Sequence, residues 1–329
     1  MAILEVVDLE VEIAGVRVLR GVSLELEAGH TLGVVGESGC GKSMTGMAIM
    51  NMLPASARIT KGSIVLEGRE LLTLPKREWL DIRGQQIALV MQDPFTSLNP
   101  MMRVGHQIAE VLMLHHNLSR SEAWKRSVEM LDKVGVPTPE LSARKYPHQL
   151  SGGQRQRVVI AIAFACKPKV LIADEPTTAL DVTLQAQILR LLKDLKETEG
   201  VAVMLISHDI GVIGSLASNI AVYYAGRVVE RGDAESVLRS PAHPYTQALL
   251  AAMPKAGATT LEPIGGQPPD FARLPPGCSF APRCRFRLDR CEDSEPGLIP
   301  RNQTQRAACW LLDDAFRSNS EGTSPVSAE

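Results

Sequence analysis

The chain has 329 residues, 45% of them hydrophobic and 22% charged, with a mean hydropathy of +0.01. That balance excludes disordered, collagen-like and coiled-coil classes for the bulk of the chain and fits about two domains, or one α/β domain with an appendage. Lys and Arg number 35 against 37 Asp and Glu, a net charge of −2, so a general basic footprint is missing and no nucleic-acid partner is expected.

The opening Met1-Ala2-Ile3-Leu4-Glu5 turns acidic at once, so no secretory leader is expected and the chain is expected in the cytoplasm. Residues 5–13 and 23–27 alternate charged and apolar side chains and predict half-buried strands, joined through Ala14-Gly15 and Gly21. Residues 31–35 predict a buried strand, and 42–53 a helix stopped by Pro54. Residues 64–66 followed by Gly68 predict a hairpin, and 87–91 a strand ending at Gln92-Asp93-Pro94. The pattern is helical over 104–134, and 155–166 predicts an apolar helix ending at Lys167-Pro168. Its uncharged, wholly apolar run, 158–166, is the longest of that kind in the chain and falls far short of the ~20 residues a membrane span needs.

Buried strands at 170–173 and 201–206 flank an amphipathic helix at 184–198, and 221–231 predicts strand–turn–strand. Apolar strands alternating with helices predict an α/β fold with a mostly parallel sheet covered on both faces. An antiparallel β part precedes it, and residues of about 95–165 form a helical insertion. After about residue 255 the chain changes: Pro263, Pro268, Pro269, Pro275, Pro276, Pro282, Pro296 and Pro300 forbid long helices and central strands. The expected division is 1–255 for the main domain, 256–315 for a cysteine-containing appendage, and 316–329 for a disordered tail.

Gly36-Glu37-Ser38-Gly39-Cys40-Gly41-Lys42-Ser43 matches G-x-x-x-x-G-K-S/T between a strand and a helix, the context the motif requires. Its glycines let backbone N–H groups converge on phosphate oxygens, and the helix start adds positive potential. Lys42 would reach the β/γ-phosphates and the Ser43 hydroxyl would ligate Mg²⁺. Cys40 is filler there, since the loop needs only its backbone. The strand at 170–173 runs into Asp174-Glu175. Asp174 would hold Mg²⁺ and Glu175 would polarise an attacking water. The two motifs together specify a P-loop ATPase.

Ser151-Gly152-Gly153-Gln154 opens another helix and forms a second anion site without a lysine. Such a half-site works best against phosphates held by another chain, which predicts a head-to-tail dimer around two ATP molecules. Four of the six cysteines, Cys278, Cys284, Cys291 and Cys309, lie in the appendage at intervals of five, six and seventeen residues. That spacing fits zinc pairs poorly and matches no common ferredoxin pattern. On spacing alone they are four soft ligands or unpaired structural cysteines in a segment poor in core. Arg283, Arg285, Arg287 and Arg290 interleave with them and could offset thiolate charge.

These motifs, with Gln92, Ala179-Leu180-Asp181 and Ser207-His208-Asp209 in order, resemble the ATP-binding-cassette (ABC) family over nearly the whole chain. The resemblance implies that Gln92 senses Mg²⁺ and a membrane partner, that Asp181 organises the dimer contact, and that His208 meets the γ-phosphate. Read alone, Gln92 is a turn residue, Asp181 a helix cap and His208 a loop histidine. The family's adenine-stacking aromatic is missing: the matching position is Ile13, or else Val18, and no Tyr or Phe precedes Phe95. An aliphatic contact forfeits ~0.5–1.5 kcal/mol of stacking, which predicts weaker nucleotide discrimination.

Gly226-Arg227-Val228-Val229-Glu230, His243-Pro244-Tyr245-Thr246 and Pro275-Pro276-Gly277-Cys278 look like the ATP-binding subunits of oligopeptide/dipeptide importers. So do Ser97-Leu98-Asn99-Pro100 and the cysteine tail. The resemblance implies a 4Fe–4S cluster on Cys278, Cys284, Cys291 and Cys309. It also implies two transmembrane permease subunits, a second ABC ATPase subunit, identical or sister, and an extracytoplasmic solute-binding protein. The chain would lie peripherally on the cytoplasmic face of the inner membrane. Rival readings are an importer for nickel, sugar or opine, a soluble ABC ATPase acting on nucleic acid or ribosomes, and a cysteine tail that senses redox state.

Overall fold

The computed structural model describes residues 2–178, 180–253 and 264–313. The expected boundary at 255, Pro263, Ala179 and the tail at 316–329 lie outside the described residues. β1 (Ala2–Ile13) and β2 (Val16–Glu27) pair antiparallel across Ala14-Gly15. Both are longer than the alternation suggested. Gly21 is not a junction: it sits inside β2 at φ +76, where the register against β1 slips, a bulge that hides the period-two signal.

The chain then crosses to a second sheet as β3 (Thr31–Val35), which is buried throughout and leads into α1 (Lys42–Ile49). α1 ends ahead of the expected 53, because Asn51 already turns left-handed at φ +49. β4 (Ala57–Leu66) returns to β1 and β5 (Arg69–Glu70) folds back on it, completing a sheet of order β2-β1-β4-β5. α2 (Trp79–Ile82) buries Trp79 and Ile82 in the core shared by the two sheets.

β6 (Ile87–Val90) and the short α3 (Pro94–Ser97) lead into a helical arm. The arm comprises α4 (Val104–His116), α5 (Arg120–Lys133), α6 (Pro139–Ala143) and α7 (Gly152–Phe164). The continuous helical pattern at 104–134 is two helices, because Asn117 adopts φ +52 and Ser119 with Glu122 forms a capping box that starts α5. The remainder alternates: β7 (Val170–Asp174), α8 (Val182–Glu199), β8 (Ala202–Ser207), α9 (Ile210–Gly214), β9 (Asn219–Tyr224) and β10 (Arg227–Asp233). Then come α10 (Ala234–Arg239), α11 (Pro244–Ala251), α12 (Arg290–Asp293), β11 (Ile299–Pro300) and β12 (Arg306–Ala307).

The second sheet has the order β11-β12-β10-β9-β3-β8-β7-β6. β9, β3, β8, β7 and β6 are parallel, while β10, β12 and β11 join antiparallel. Its strands are buried on both faces: Val35, Ala173 and Leu205 pack one way, and Val34, Ile172 and Ile206 the other. The parallel strands deliver their following loops to one end, where open α/β sheets place their ligands.

The described part of the proline-rich region docks on the main sheet. Its β11–β12 hairpin extends the main sheet, with Ala307 opposite Glu230. Glu230 is fully buried, and its carboxylate accepts from the backbone N–H groups of Ala242 and His243 at 2.7 and 2.9 Å and from Gln305 Nε2 at 2.7 Å. Glu295 of the appendage pairs with both Arg20 of β2 and Arg227 of β10. Among the described residues no helix is long and apolar enough to cross a membrane.

Candidate active site

The loop between β3 and α1 is shaped by close approach. A Cβ on Gly36 would lie 2.4 Å from the Tyr223 carbonyl oxygen. Gly41 holds φ +106, and a Cβ there would lie 2.8 Å from Leu19 Cδ2. Lys42 is 4% exposed, and its Nζ donates to the Gly36 and Glu37 carbonyls at 2.8 and 2.9 Å. The lysine is thereby curled over the loop with its charge at the centre. The Cys40 thiol is buried, and burial raises its pKa, which suits a filler and not a nucleophile.

Beside the loop the Ser43 hydroxyl donates to Asp174 Oδ1 at 3.0 Å. Burial raises the Asp174 pKa, with the Ser43 hydrogen bond opposing and the Glu175 charge adding. A hydroxyl and a desolvated carboxylate in contact are hard oxygen donors of the kind Mg²⁺ takes, and they leave room for waters and phosphates to complete its shell.

Glu175 follows at the strand end with φ +46, a backbone strain that side-chain contacts hold in place. Its Oε2 accepts from Gln92 Nε2 at 3.0 Å and from the Thr178 hydroxyl at 2.8 Å, and it lies 3.3 Å from His208 Nδ1. Three separate strand ends, those of β6, β7 and β8, thus bring Gln92, Asp174-Glu175 and His208 together. Thr178 was missed, because a hydroxyl three residues past the acids carries no pattern of its own.

Ser151 caps α7 and forms a capping box with Gln154. Ser151 and Gln154 bond each other, at Gly152-Gly153, and not the loop at 36–43 of their own chain. Asp181 caps α8, accepting from the Leu184 N–H at 2.9 Å. Ile13 ends β1 opposite Val16 and Ala57. The carbonyl of Val18 lies 3.1 Å from where a Cβ on Gly41 would sit. Near Gln92, Phe95 is 64% exposed and the Arg155 guanidinium stacks 3.9 Å from its ring centroid.

The four appendage cysteines are free thiols. Among the described residues no group of three or more His, Cys, Asp or Glu could hold a metal ion. The expected ligand set is therefore not present as a ready metal site. The thiols nevertheless converge enough to feel one another: the Cys291 charge bears on Cys278, Cys284 and Cys309. The Cys278 N–H also donates to the Cys291 carbonyl at 2.8 Å. Burial is the main cause that pushes Cys278 up to about 11 and Cys309 up to about 12. Cys166 is a core residue that burial pushes up to about 11.

The α11 start and the appendage also reach the phosphate loop. The Glu37 N–H donates to the Tyr245 hydroxyl at 2.9 Å, and Arg283 forms a two-pronged pair with the Glu37 carboxylate at 2.7 and 2.9 Å. The sequence signalled neither contact; in the structure Pro244 opens α11 and His243 caps it, which positions Tyr245.

A phosphate loop after a parallel strand, a hydroxyl–carboxylate pair beside it and a strained acid on the neighbouring strand end define a P-loop ATPase of the ABC class. An ABC transporter family profile matches residues 19–178, and one for the oligopeptide/dipeptide transporter C-terminal region matches 229–291. The dipeptide transport ATP-binding protein DppD of Bacillus subtilis is 46% identical over 301 residues, 91% of this chain and 90% of that protein. The oligopeptide transport ATP-binding protein OppD of Salmonella typhimurium is 49% identical over 300 residues, 89% of each. Among solved structures, the ATP-binding cassette MJ0796, a dimer bound to ADP and Pi, superposes with a TM-score of 0.63 at 29% identity. That match covers 70% of this chain and 98% of the other. The chain belongs to the oligopeptide/dipeptide transport ATP-binding proteins and is an ABC-type ATPase, as its motifs led one to expect.

Proposed function

We propose that the chain is the ATP-hydrolysing subunit of an importer for dipeptides and oligopeptides, bound peripherally at the cytoplasmic face of the membrane. The observation that carries this reading is the likeness to peptide-transport ATPases along both the cassette and the appendage. Two transmembrane permease subunits, a second cassette and an extracytoplasmic solute-binding protein complete the machine. The groove around Gln92 and residues 95–102, with its exposed Phe95, receives a short permease helix.

The backbone of 36–43 and the Lys42 ammonium bind the β/γ-phosphates. Ser43 and Asp174, with Gln92 nearby, would hold Mg²⁺, which when bound neutralises charge between the β- and γ-phosphates. Glu175 accepts the proton of the attacking water once Gln92 releases its carboxylate, and His208 lies beside the γ-phosphate. Ser151, Gly152, Gly153, Gln154 and Asp181 close the pocket of the opposing cassette. The support for that division is that Ser151 and Gln154 are bonded to each other and not to their own loop. The aliphatic Ile13 or Val18 meets adenine.

Cys278, Cys284, Cys291 and Cys309 would hold a 4Fe–4S cluster. In support, Cys291 and Cys309 are buried and Cys278 and Cys284 half-buried in the same appendage, which has little core of its own. A cluster spreads its ligands around several irons, so a poor single-ion site does not count against it.

The decisive test is reconstitution with the co-purified permeases in proteoliposomes. ATP-dependent accumulation of peptides is expected. Uptake of nickel, sugars or opines instead would overturn the cargo assignment. Salt-sensitive nucleic-acid binding without membrane co-fractionation would overturn the transport role.

A further inference from the structure

The phosphate loop contains an acid that its chemistry does not require. Glu37 is the second residue of a cradle built to gather a polyanion, and a bare carboxylate there repels the phosphates. The structure supplies a cation for it from 246 residues away. Arg283 Nη1 donates to Glu37 Oε2 at 2.7 Å and Nη2 to Oε1 at 2.9 Å. This fork-to-fork geometry is the strongest form an ion pair takes.

The guanidinium has two further partners. Its Nε donates to the Gly265 carbonyl at 2.8 Å, and Nη1 also reaches the Tyr224 hydroxyl at 3.3 Å. The Arg283 side chain is only 4% exposed and that of Glu37 23%, so the pair is sheltered from water on the arginine side and open to screening on the carboxylate side. Its backbone is fixed as well. Arg283 ends a 3-10 turn (Ala281–Arg283), and its N–H donates to the Phe280 carbonyl at 3.0 Å. The Phe280 ring packs edge-on to Tyr224, with centroids 5.2 Å apart, and tilted on Tyr245 at 5.4 Å. Tyr245 in turn accepts the Glu37 N–H. The first turn of the phosphate loop is thus held from the appendage side through both its backbone and its side chain.

We propose that Arg283 is a positioning residue for ATP binding: by pairing with Glu37 it cancels the loop's own negative charge and fixes the loop's first turn. The appendage then acts on the nucleotide site directly, in addition to covering the sheet edge. This inference rests on residues 36–43 being the ATP cradle. It does not depend on a metal at the cysteines, because the contacts of Arg283 run to Glu37, Tyr224 and Gly265.

The test is equilibrium binding of ATP to the full chain at several salt concentrations. The variants are Arg283→Gln, Arg283→Lys, and Arg283→Gln combined with Glu37→Gln. Losing a charge-assisted pair and exposing its partner should weaken ATP binding about tenfold in Arg283→Gln, most at low salt. Arg283→Lys, which keeps the charge but not the fork, should fall between that variant and the wild type. The double variant should recover to within about threefold of wild type, because no bare carboxylate remains. Wild-type affinity in Arg283→Gln overturns the proposal. A double variant as weak as the single, or one that fails to fold, also overturns it, since the arginine would then serve packing alone. Lys42→Ala binding ATP as the wild type does would instead reject the cradle itself.

Discussion

Gln92 Nε2 donates to Glu175 Oε2 at 3.0 Å, across the ends of two neighbouring parallel strands. The same oxygen takes the Thr178 hydroxyl and lies 3.3 Å from His208 Nδ1. One carboxylate oxygen is therefore the meeting point of three groups from separate loops. A carboxylate so engaged is oriented, but it cannot also take a water's proton through the same lone pairs. On the proposed function, release of Gln92, whose loop continues into the exposed Phe95, would link the groove expected to face the membrane to the chemistry of hydrolysis.

Glu175→Gln should keep the geometry while removing the base. Hydrolysis should fall by about two orders of magnitude or more, as for loss of a general base, while ATP binding persists. Single-turnover hydrolysis and equilibrium nucleotide binding measure the two separately. Near-normal turnover would reject the role.

Lys42→Ala removes a buried ammonium that bonds two carbonyls of its own loop. Each charge-assisted bond contributes about 1.5–3 kcal/mol. ATP affinity should therefore fall by about tenfold to a hundredfold, and turnover with it. Titration with a fluorescent ATP analogue is the check, and unchanged affinity would dismiss the lysine from the site.

The strands that build the site were legible because each is a short apolar run ending in a polar turn: 31–35, 87–91, 170–173 and 201–206 all lie within or beside observed strands. Such strands are buried on both faces, so composition alone marks them. β2 was legible only at its end, because the bulge at Gly21 breaks the alternation on which strand recognition depends. The acids, the amide and the phosphate loop were legible as motifs. Arg283 and Tyr245 were not legible as loop supports, since nothing local in the chain links either to Glu37, and only the docked appendage creates the contact. Helix caps such as Ser151 and Asp181 show in this structure only their local hydrogen bonds; the role toward an opposing cassette belongs to the proposal.

The cysteines offer a direct chemical check. Protein purified without oxygen should contain iron and labile sulfide, and Cys284→Ser should lose both. With burial holding Cys278 near 11 and Cys309 near 12, these two thiols stay protonated at neutral pH unless a metal displaces the protons. Stoichiometric zinc in place of iron would overturn the cluster. Activity that tracks cluster oxidation would assign it a sensing role, and a merely unstable apo-protein a structural one.

The last prediction concerns acid. His243 is fully buried at the start of α11, where its Nδ1 accepts the Tyr245 N–H at 3.0 Å while the ring also bonds the Ala308 backbone. Burial holds its pKa down at about 4, against an ordinary value near 6.5 in the unfolded chain. Above pH of about 6.5 both states are neutral and the group is silent. As the pH falls below that, the unfolded chain takes up a proton that the folded chain refuses, so stability drops until the folded pKa is reached. Integrated over the interval, the loss is about 3 kcal/mol. His243→Asn retains a side-chain acceptor for the Tyr245 N–H but not the titration. Urea unfolding between pH 7 and pH 4 should therefore show a steeper fall in the wild type than in the variant, whatever their relative stability at pH 7. Parallel curves would mean that the buried imidazole protonates in place. Tyr245, which the same histidine orients and which holds the Glu37 N–H, would then be anchored by other contacts.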